Sequence, residues 1–203
     1  MGLREQKKER QRSDILEAAL VLFRERGYDE TRVQDIIERV AISEGTFFNY
    51  FPTKDSLLHE FAIDHIDLYR GVLEYELDSK DRSVPDRIRE IMRAAAQAIA
   101  QDRGFQTVLY TRSNLFDSRG LLKEKTLRSY DLLTELFREG QERGEIRGDI
   151  DPLQLAETMT GIYHLTTLNW LTGWLREDTE ELELRLMQAI DLFLDGCMPP
   201  AKS

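Results

Sequence analysis

The sequence predicts an all-α protein in two parts: an N-terminal three-helix, helix-turn-helix domain with a basic arm at its start, residues 1–53, and a larger helical domain, residues 54–203. Three observations predict it. Text rich in Leu, Ala, Glu and Arg, with five prolines in 203 residues and no useful strand alternation, favours helix throughout. Residues 31–57, TRVQDIIERVAISEGTFFNYFPTKDSL, encode two short helices at a tight corner and a third directly after. The length divides naturally into one small domain and one of roughly 150 residues, ample for a buried core.

Taken in order, Ile15, Ala18, Ala19, Leu22 and Phe23 recur at helical spacing, and Gly27 ends that helix as a C′ glycine. Thr31 is expected to cap a second helix beginning at Arg32, with Gln34 completing a capping box and Val33, Ile36, Ile37 and Val40 forming its apolar stripe. Ala41-Ile42 suits a tight corner, Ser43 caps the next helix, about Glu44 to Tyr50, and Pro52 closes it. Two turns are unstable alone, so neighbours must hold this helix through Phe47 and Phe51. Thr53 caps a long helix to about Leu77. Further helices are expected from Pro85 to Asp102 (Ile88, Ile91, Met92, Ala95 and Ile99 inward), Phe105 to Leu115, and Leu121 to Arg143 (Leu132, Leu136 and Phe137 inward). GEIRGDIDP breaks the chain before two last helices, Pro152 to Trp174 and Thr179 to Asp195, and a frayed MPPAKS tail.

The net charge of −10 argues against wholesale attraction to nucleic acid, but its distribution does not. Residues 1–12 hold five basic residues against two Glu, whereas beyond residue 55 there are 18 basic and 27 acidic. Local patches decide phosphate contact. The lone Cys197 cannot form an internal disulfide and suits a reducing cytoplasm. Residues 1–12 carry no signal-peptide apolar region, and Met1-Gly2 lacks the hydroxyl residue at position 6 that myristoylation needs. The longest uncharged run, Thr158 to Leu175, contains five Thr with His164 and Asn169, and reads as a buried helix rather than a membrane span. His59, His65 and His164 show no metal-ligand spacing, and no GxSxG, GxGxxG or Walker motif is present, so no catalysis, metal or cofactor is expected.

From Asp14 to about Leu58 the chain resembles the DNA-binding domain of the TetR family of bacterial one-component transcription regulators. The resemblance rests on ILEAALVLFRERGYDETRV and QDIIERVAISEGTFFNYFPTKDSLL, with Ala18-Ala19, Gly27-Tyr28, Thr31, Ile36, Ser43, Gly45-Thr46, Tyr50-Phe51 and Lys54 at the family's spacing. The remainder is similar in length and helical character only. Two positions depart from the pattern: Glu44 stands where the family commonly has lysine, and Phe48 where it has an aromatic hydroxyl.

On this reading the helix at 44–50 enters a DNA groove. Thr46, Asn49 and Tyr50 are expected to face bases, since Asn can pair with an adenine edge and Thr can meet a thymine methyl. Arg32, Gln34, Ser43 and Lys54 are expected near phosphates, Gly45 where the backbone must approach closely, and Glu44 where a cytosine amino group can donate.

The resemblance implies a homodimer on a palindromic operator, because one two-turn helix discriminates too few base pairs alone. The last two helices would pair across the dimer axis through Leu155, Met159, Ile162, Thr166, Leu182, Leu186, Ile190 and Phe193; the alternative is that these residues fill the subunit's own core. It also implies a pocket for an apolar small molecule, with Phe105, Leu109, Tyr110, Asn114, Tyr163, His164, Thr167 and Trp170 as candidate lining, whose occupancy releases a repressor from DNA. The rival reading is a protein of the same fold that binds DNA constitutively or answers to a protein partner.

Overall fold

Helical spacing is realised from the third residue onward. The structure, a computed structural model, describes residues 2–113, 120–175 and 181–198. Among them run helices α1 (Leu3–Arg26), α2 (Val33–Val40), α3 (Glu44–Tyr50), α4 (Lys54–Asp78), α5 (Val84–Ala100), α6 (Arg103–Arg112), α7 (Gly120–Glu142), α8 (Pro152–Thr172) and α9 (Leu182–Cys197). They form two compact units, Met1–Ala62 with Gly104–Leu115, and Ile63–Arg103 with Phe116–Ser203. Helix α4 starts in the first and continues into the second.

In the first unit α1 packs on α2, and α2 on α3. Ile15, Ala19, Leu22, Ile36, Phe47, Phe51 and Leu57 are essentially sealed from solvent. Phe23, Tyr28, Phe61 and Phe105 extend this core as edge-to-face pairs, Phe23–Tyr28 at 5.0 Å and Phe61–Phe105 at 5.3 Å, so α6 closes the unit although it lies far along the chain. Gly27 ends α1 at φ +87°, a conformation open to glycine.

Two local expectations are corrected here. The buried Thr31 does not cap α2: its hydroxyl donates to the carbonyls of Gly27 (2.8 Å) and Leu22 (3.2 Å). Arg32 occupies the cap position, and its backbone N–H donates to Asp35 Oδ2 at 2.7 Å, so Asp35 rather than Gln34 supplies the capping carboxylate. Gln34 instead donates to Glu38. The basic N-terminal segment is no separate arm, because Leu3 to Arg12 is the first part of α1.

In the second unit α5 packs against α7 and α9, and α8 against α7 and α9. Ser83 caps α5 by accepting from the Asp86 N–H, and Pro85 sits in its first turn. The wholly buried Arg87 donates to the carbonyls of Glu76 (2.6 Å) and Leu77 (3.0 Å) at the end of α4, and to both carboxylate oxygens of Glu139 on α7. A single guanidinium thus satisfies a helix terminus and ties three helices. Although burial works to raise the Glu139 carboxyl, hydrogen bonds from Arg87, Lys80 and Arg143 bring it down to about 2.

The residues of the expected dimer stripe divide between the interior and the surface of this unit. Leu155, Met159, Leu182, Leu186 and Ile190 are at most 3% exposed, enclosed by the second unit itself, so they offer no surface to a partner. Ile162, Thr166 and Phe193 are half-buried, and Phe193 lies edge-on to Phe137 at 6.0 Å. The large apolar side chains that α8 and α9 leave in water are Leu153, at the start of α8, and Leu165, Leu184 and Leu192. Apolar rows a few residues apart lie on adjoining helix faces, and spacing does not say which faces the helix's own subunit.

Candidate nucleic-acid interface

Helix α3 is seven residues long and is fixed from beneath by Phe47 and Phe51, both buried. Its start is set by Ser43, whose hydroxyl oxygen accepts from the Thr46 N–H at 3.1 Å and pairs with the Thr46 hydroxyl at 2.8 Å. Ala41 turns the corner before it in the left-handed region, φ +57°, one of the tighter conformations a non-glycine residue adopts.

With Phe47 and Phe51 inward, Gly45 and Asn49 stand on the opposite side of the helix, and they, Glu44 at its first turn and Phe48 on its flank are all exposed. Phe48 is 42% exposed on a helix whose own core has no place for it. A Cβ added at Gly45 would meet nothing within 4 Å, so the protein's own packing does not ask for glycine there. Phe48 was not among the expected site residues; its signal in the sequence is a third aromatic at 48 beside the two that the core spacing uses.

The other expected DNA residues are distributed as follows. Thr46 is half-buried, and its hydroxyl is shared with Ser43. Arg32 is exposed, and Gln34 is held by Glu38. Tyr50 is half-buried, and its hydroxyl donates to Gln11 Oε1 on α1 at 3.1 Å. Lys54 is turned inward: its ammonium donates to the carbonyls of Tyr28 (2.7 Å) and Thr31 (2.9 Å) and lies 4.1 Å from the Tyr28 ring centroid. That ammonium fastens the α1–α2 connection to α4. The Tyr28 hydroxyl donates to Asp55, and burial, followed by this bond, raises its pKa well above the ordinary phenol value.

The expected effector residues divide between the units. Phe105, Leu109 and Tyr110 belong to the first, where Phe105 and Leu109 are core. Asn114 lies outside the described residues. Tyr163, His164, Thr167 and Trp170 lie on α8 in the second unit. There Tyr163 stacks on Tyr69 of α4 (5.7 Å, 6° between planes), and the Arg103 guanidinium sits 4.3 Å from the Trp170 ring centroid. His65, Leu68, Tyr69, Val72, Ala94, Ala95, Ala98 and Tyr163 line a partly open void of about 20 Å³. Burial lowers the His65 pKa to about 4, and burial with the charge of His65 does the same to His164. The Thr167 hydroxyl is fully buried with no hydrogen-bond partner among the described residues. Spacing within α8 shows Tyr163 and Thr167 on one face, but the α4 and α5 side of this void has no signal in the sequence beyond ordinary core periodicity.

Among the described residues no helix is long and apolar enough to cross a membrane, and no cluster of three or more His, Cys, Asp or Glu is placed to hold a metal.

Comparison with known proteins places these features. Residues 15–61 match the family described as bacterial regulatory proteins, tetR family, and residues 81–196 match the tetracyclin repressor-like C-terminal domain. The HTH-type transcriptional repressor DhaR of Mycobacterium sp. (strain GP1) is 26% identical over 201 residues, 95% of this chain and 94% of its own. The HTH-type transcriptional regulator LuxR of Vibrio harveyi is 26% identical over 188 residues, 92% and 88% of the two chains. In structure the chain is similar to Thermus thermophilus FadR, a TetR-family transcriptional repressor solved with lauroyl-CoA, with a TM-score of 0.70, 26% identity, and coverage of 95% and 99% of the two chains. The two family matches together span most of the chain and both of its units, and the chain belongs to the TetR family of DNA-binding transcriptional regulators.

Proposed function

We propose that the protein is a homodimeric repressor that reads a palindromic operator through α3 and is released from it by an apolar small molecule held in the second unit. The observation that carries this reading is the outer face of α3. Glu44, Gly45, Phe48 and Asn49 stand exposed on a helix held in place by the buried Phe47 and Phe51. Asn49 can pair with an adenine edge and Phe48 can meet a thymine methyl, which substitutes apolar contact for the hydroxyl the family commonly places there. Glu44 accepts from a cytosine amino group, and Gly45 leaves room for the backbone to approach. Arg32 and the Ser43 end of α3 lie against phosphate. Lys54 serves the interface indirectly, by holding the α1–α2 connection.

Dimerisation uses the exposed row Leu184–Gln188–Leu192 of α9 with Thr158, Gly161 and Leu165 of α8. On a two-fold axis these rows meet their own copies, and the pairing fixes the separation of two α3 helices.

For the effector, the Tyr69–Tyr163 wall supports an apolar ligand, and the Thr167 hydroxyl, one turn beyond Tyr163 on α8, would supply a polar handle once the void is widened. The lauroyl-CoA bound by the Thermus protein makes a fatty acyl chain the first class to try. The void between α4, α5 and α8 is about 20 Å³, against roughly 300–1,000 Å³ for an ordinary ligand site. A ligand entering here must therefore spread these helices. Because α4 continues into the first unit, that movement reaches the reading head along one unbroken helix. A coupling of roughly 1–3 kcal/mol would weaken operator binding about 5- to 150-fold. The test is anisotropy on a labelled fragment of the protein's own promoter with added acyl-CoAs of graded length. Release by some chain lengths and not by free CoA supports the reading. The small void favours the second reading, in which DNA binding is constitutive or controlled by a protein partner, and a complex indifferent to every acyl-CoA would count against a fatty acyl effector and for that reading.

A further inference from the structure

We propose that the first two turns of α1 form a rigid cationic shelf that binds DNA phosphates beside the site read by α3, an extension of the interface that rests on the DNA-binding reading above. The family match begins at residue 15, yet α1 begins at Leu3, so about three helical turns precede it. Arg4, Lys7, Lys8 and Gln11 stand at i, i+3, i+4 and i+7 and share one helix face. Further along α1 the same face carries Ile15, Ala18 and Leu22 into the core. The core-facing row therefore runs outward as a row of cations, fixed by a continuous helix.

The shelf adjoins the reading helix. Tyr50, the last residue of α3, donates to Gln11, and Arg4, Lys7, Lys8, Gln11 and Tyr50 line one shallow concavity together with Glu5. The Glu5 carboxylate is turned aside to accept from the Gly2 N–H at 3.0 Å. Among the described residues, Arg4, Lys7, Lys8 and Arg10 have no ion-pair partner, whereas the next cation, Arg12, pairs with Glu9 and Glu60. Like charges at i, i+3 and i, i+4, and a cation in the first turn, both work against a helix. A chain with 38 acidic residues leaves this row unneutralised, and a polyanion would neutralise it. From Arg4 to Gln11 the helix rises about 10 Å, close to three phosphate steps along a strand at about 3.4 Å each.

The test is a pair of triple variants compared with wild type. R4Q/K7Q/K8Q removes the shelf, and K123Q/R128Q/R138Q removes three exposed cations of α7 with the same change in net charge. Affinity for the protein's own promoter fragment and for a scrambled duplex is measured from 50 to 200 mM salt. Three phosphate contacts make the salt slope steeper by about 2.7, so over this range wild type should lose roughly 40-fold more affinity than the shelf variant, while the α7 variant follows wild type. A shelf variant with the wild-type slope on both duplexes, or an α7 variant as shallow as the shelf variant, overturns the proposal. Because phosphate contact is independent of sequence, the slope on the scrambled duplex tests the shelf even if wild type shows no preference for its promoter, a result that would count against sequence reading by α3 alone.

Discussion

Replacing Leu192 by glutamate should dissociate the proposed dimer and leave the subunit folded. Leu165, Leu184 and Leu192 are 57%, 50% and 77% exposed in the single chain, close to two whole leucine side chains left in water. Fully burying a leucine is worth about 1.5–3 kcal/mol, so covering Leu192 contributes about 1–2 kcal/mol per protomer. A two-fold axis repeats it, and its loss takes about 2–4 kcal/mol from association before the cost of covering a carboxylate is added. Each 1.4 kcal/mol is tenfold, so the dimer Kd should rise at least about 30-fold. Sedimentation equilibrium reads the association, and circular dichroism checks that the helices persist. The paired control is Leu186→Glu, six residues earlier on the same helix. Its side chain is sealed inside the subunit, so the same change should cost the fold rather than the dimer. A Leu192→Glu protein that dimerises like wild type refutes the reasoning. So does a Leu186→Glu protein that stays folded and merely dissociates, which would return the interface to the inner stripe.

Three further expectations follow from geometry. His65 and His164 have pKa values lowered to about 4 by burial, so the unfolded chain takes up protons first; stability is full above about pH 6.5 and falls as pH drops toward 4. His65→Gln/His164→Gln should flatten the melting temperature over that window, and an unchanged slope would contradict the assignment. Gly140→Ala places a Cβ 2.7 Å from Ile146 Cγ1 and 3.0 Å from Val84 Cγ1, an overpacking cost of about 1–3 kcal/mol against a gain of up to about 1 kcal/mol in helix propensity. Thermal denaturation should show a net loss, and a melting point at or above wild type would show that the neighbours give way freely. Lys54→Met should weaken operator binding severalfold with an unchanged salt slope, because its ammonium holds two carbonyls; a slope reduced by about one would restore it to direct phosphate contact.

The helix-turn-helix was legible because its signals are local. Gly27, Ser43 and the Phe47–Phe51 pair act within a few residues of where they stand, and the structure uses each of them as their spacing predicts. What the sequence withheld is long-range. Nothing near Thr31 says that its hydroxyl turns back to Gly27 and Leu22, nor does anything near Lys54 say that two carbonyls of the α1–α2 connection claim its charge. Helix α6 reads as one more amphipathic segment, and long-range contacts such as Phe61 with Phe105 and Arg112 with Asp29 assign it to the first unit. In α8 and α9 the apolar rows were visible, but which row is covered by the chain's own α5 and α7 is a property of tertiary packing.

The central claim is that the exposed face of α3 reads sequence. Its most direct test is the affinity ratio between the protein's own promoter fragment and a scrambled duplex at physiological salt, for wild type and for Phe48→Ala/Asn49→Ala. Both side chains are exposed, so the variant should fold and dimerise as wild type does. A specific complex is typically 10³- to 10⁷-fold tighter than a non-specific one. The ratio should collapse by about 30-fold or more in the variant, at roughly 1–3 kcal/mol per lost base contact, while affinity for the scrambled duplex changes little. A double variant that keeps the wild-type ratio would contradict the account, because sequence would then be read by some other face of the protein.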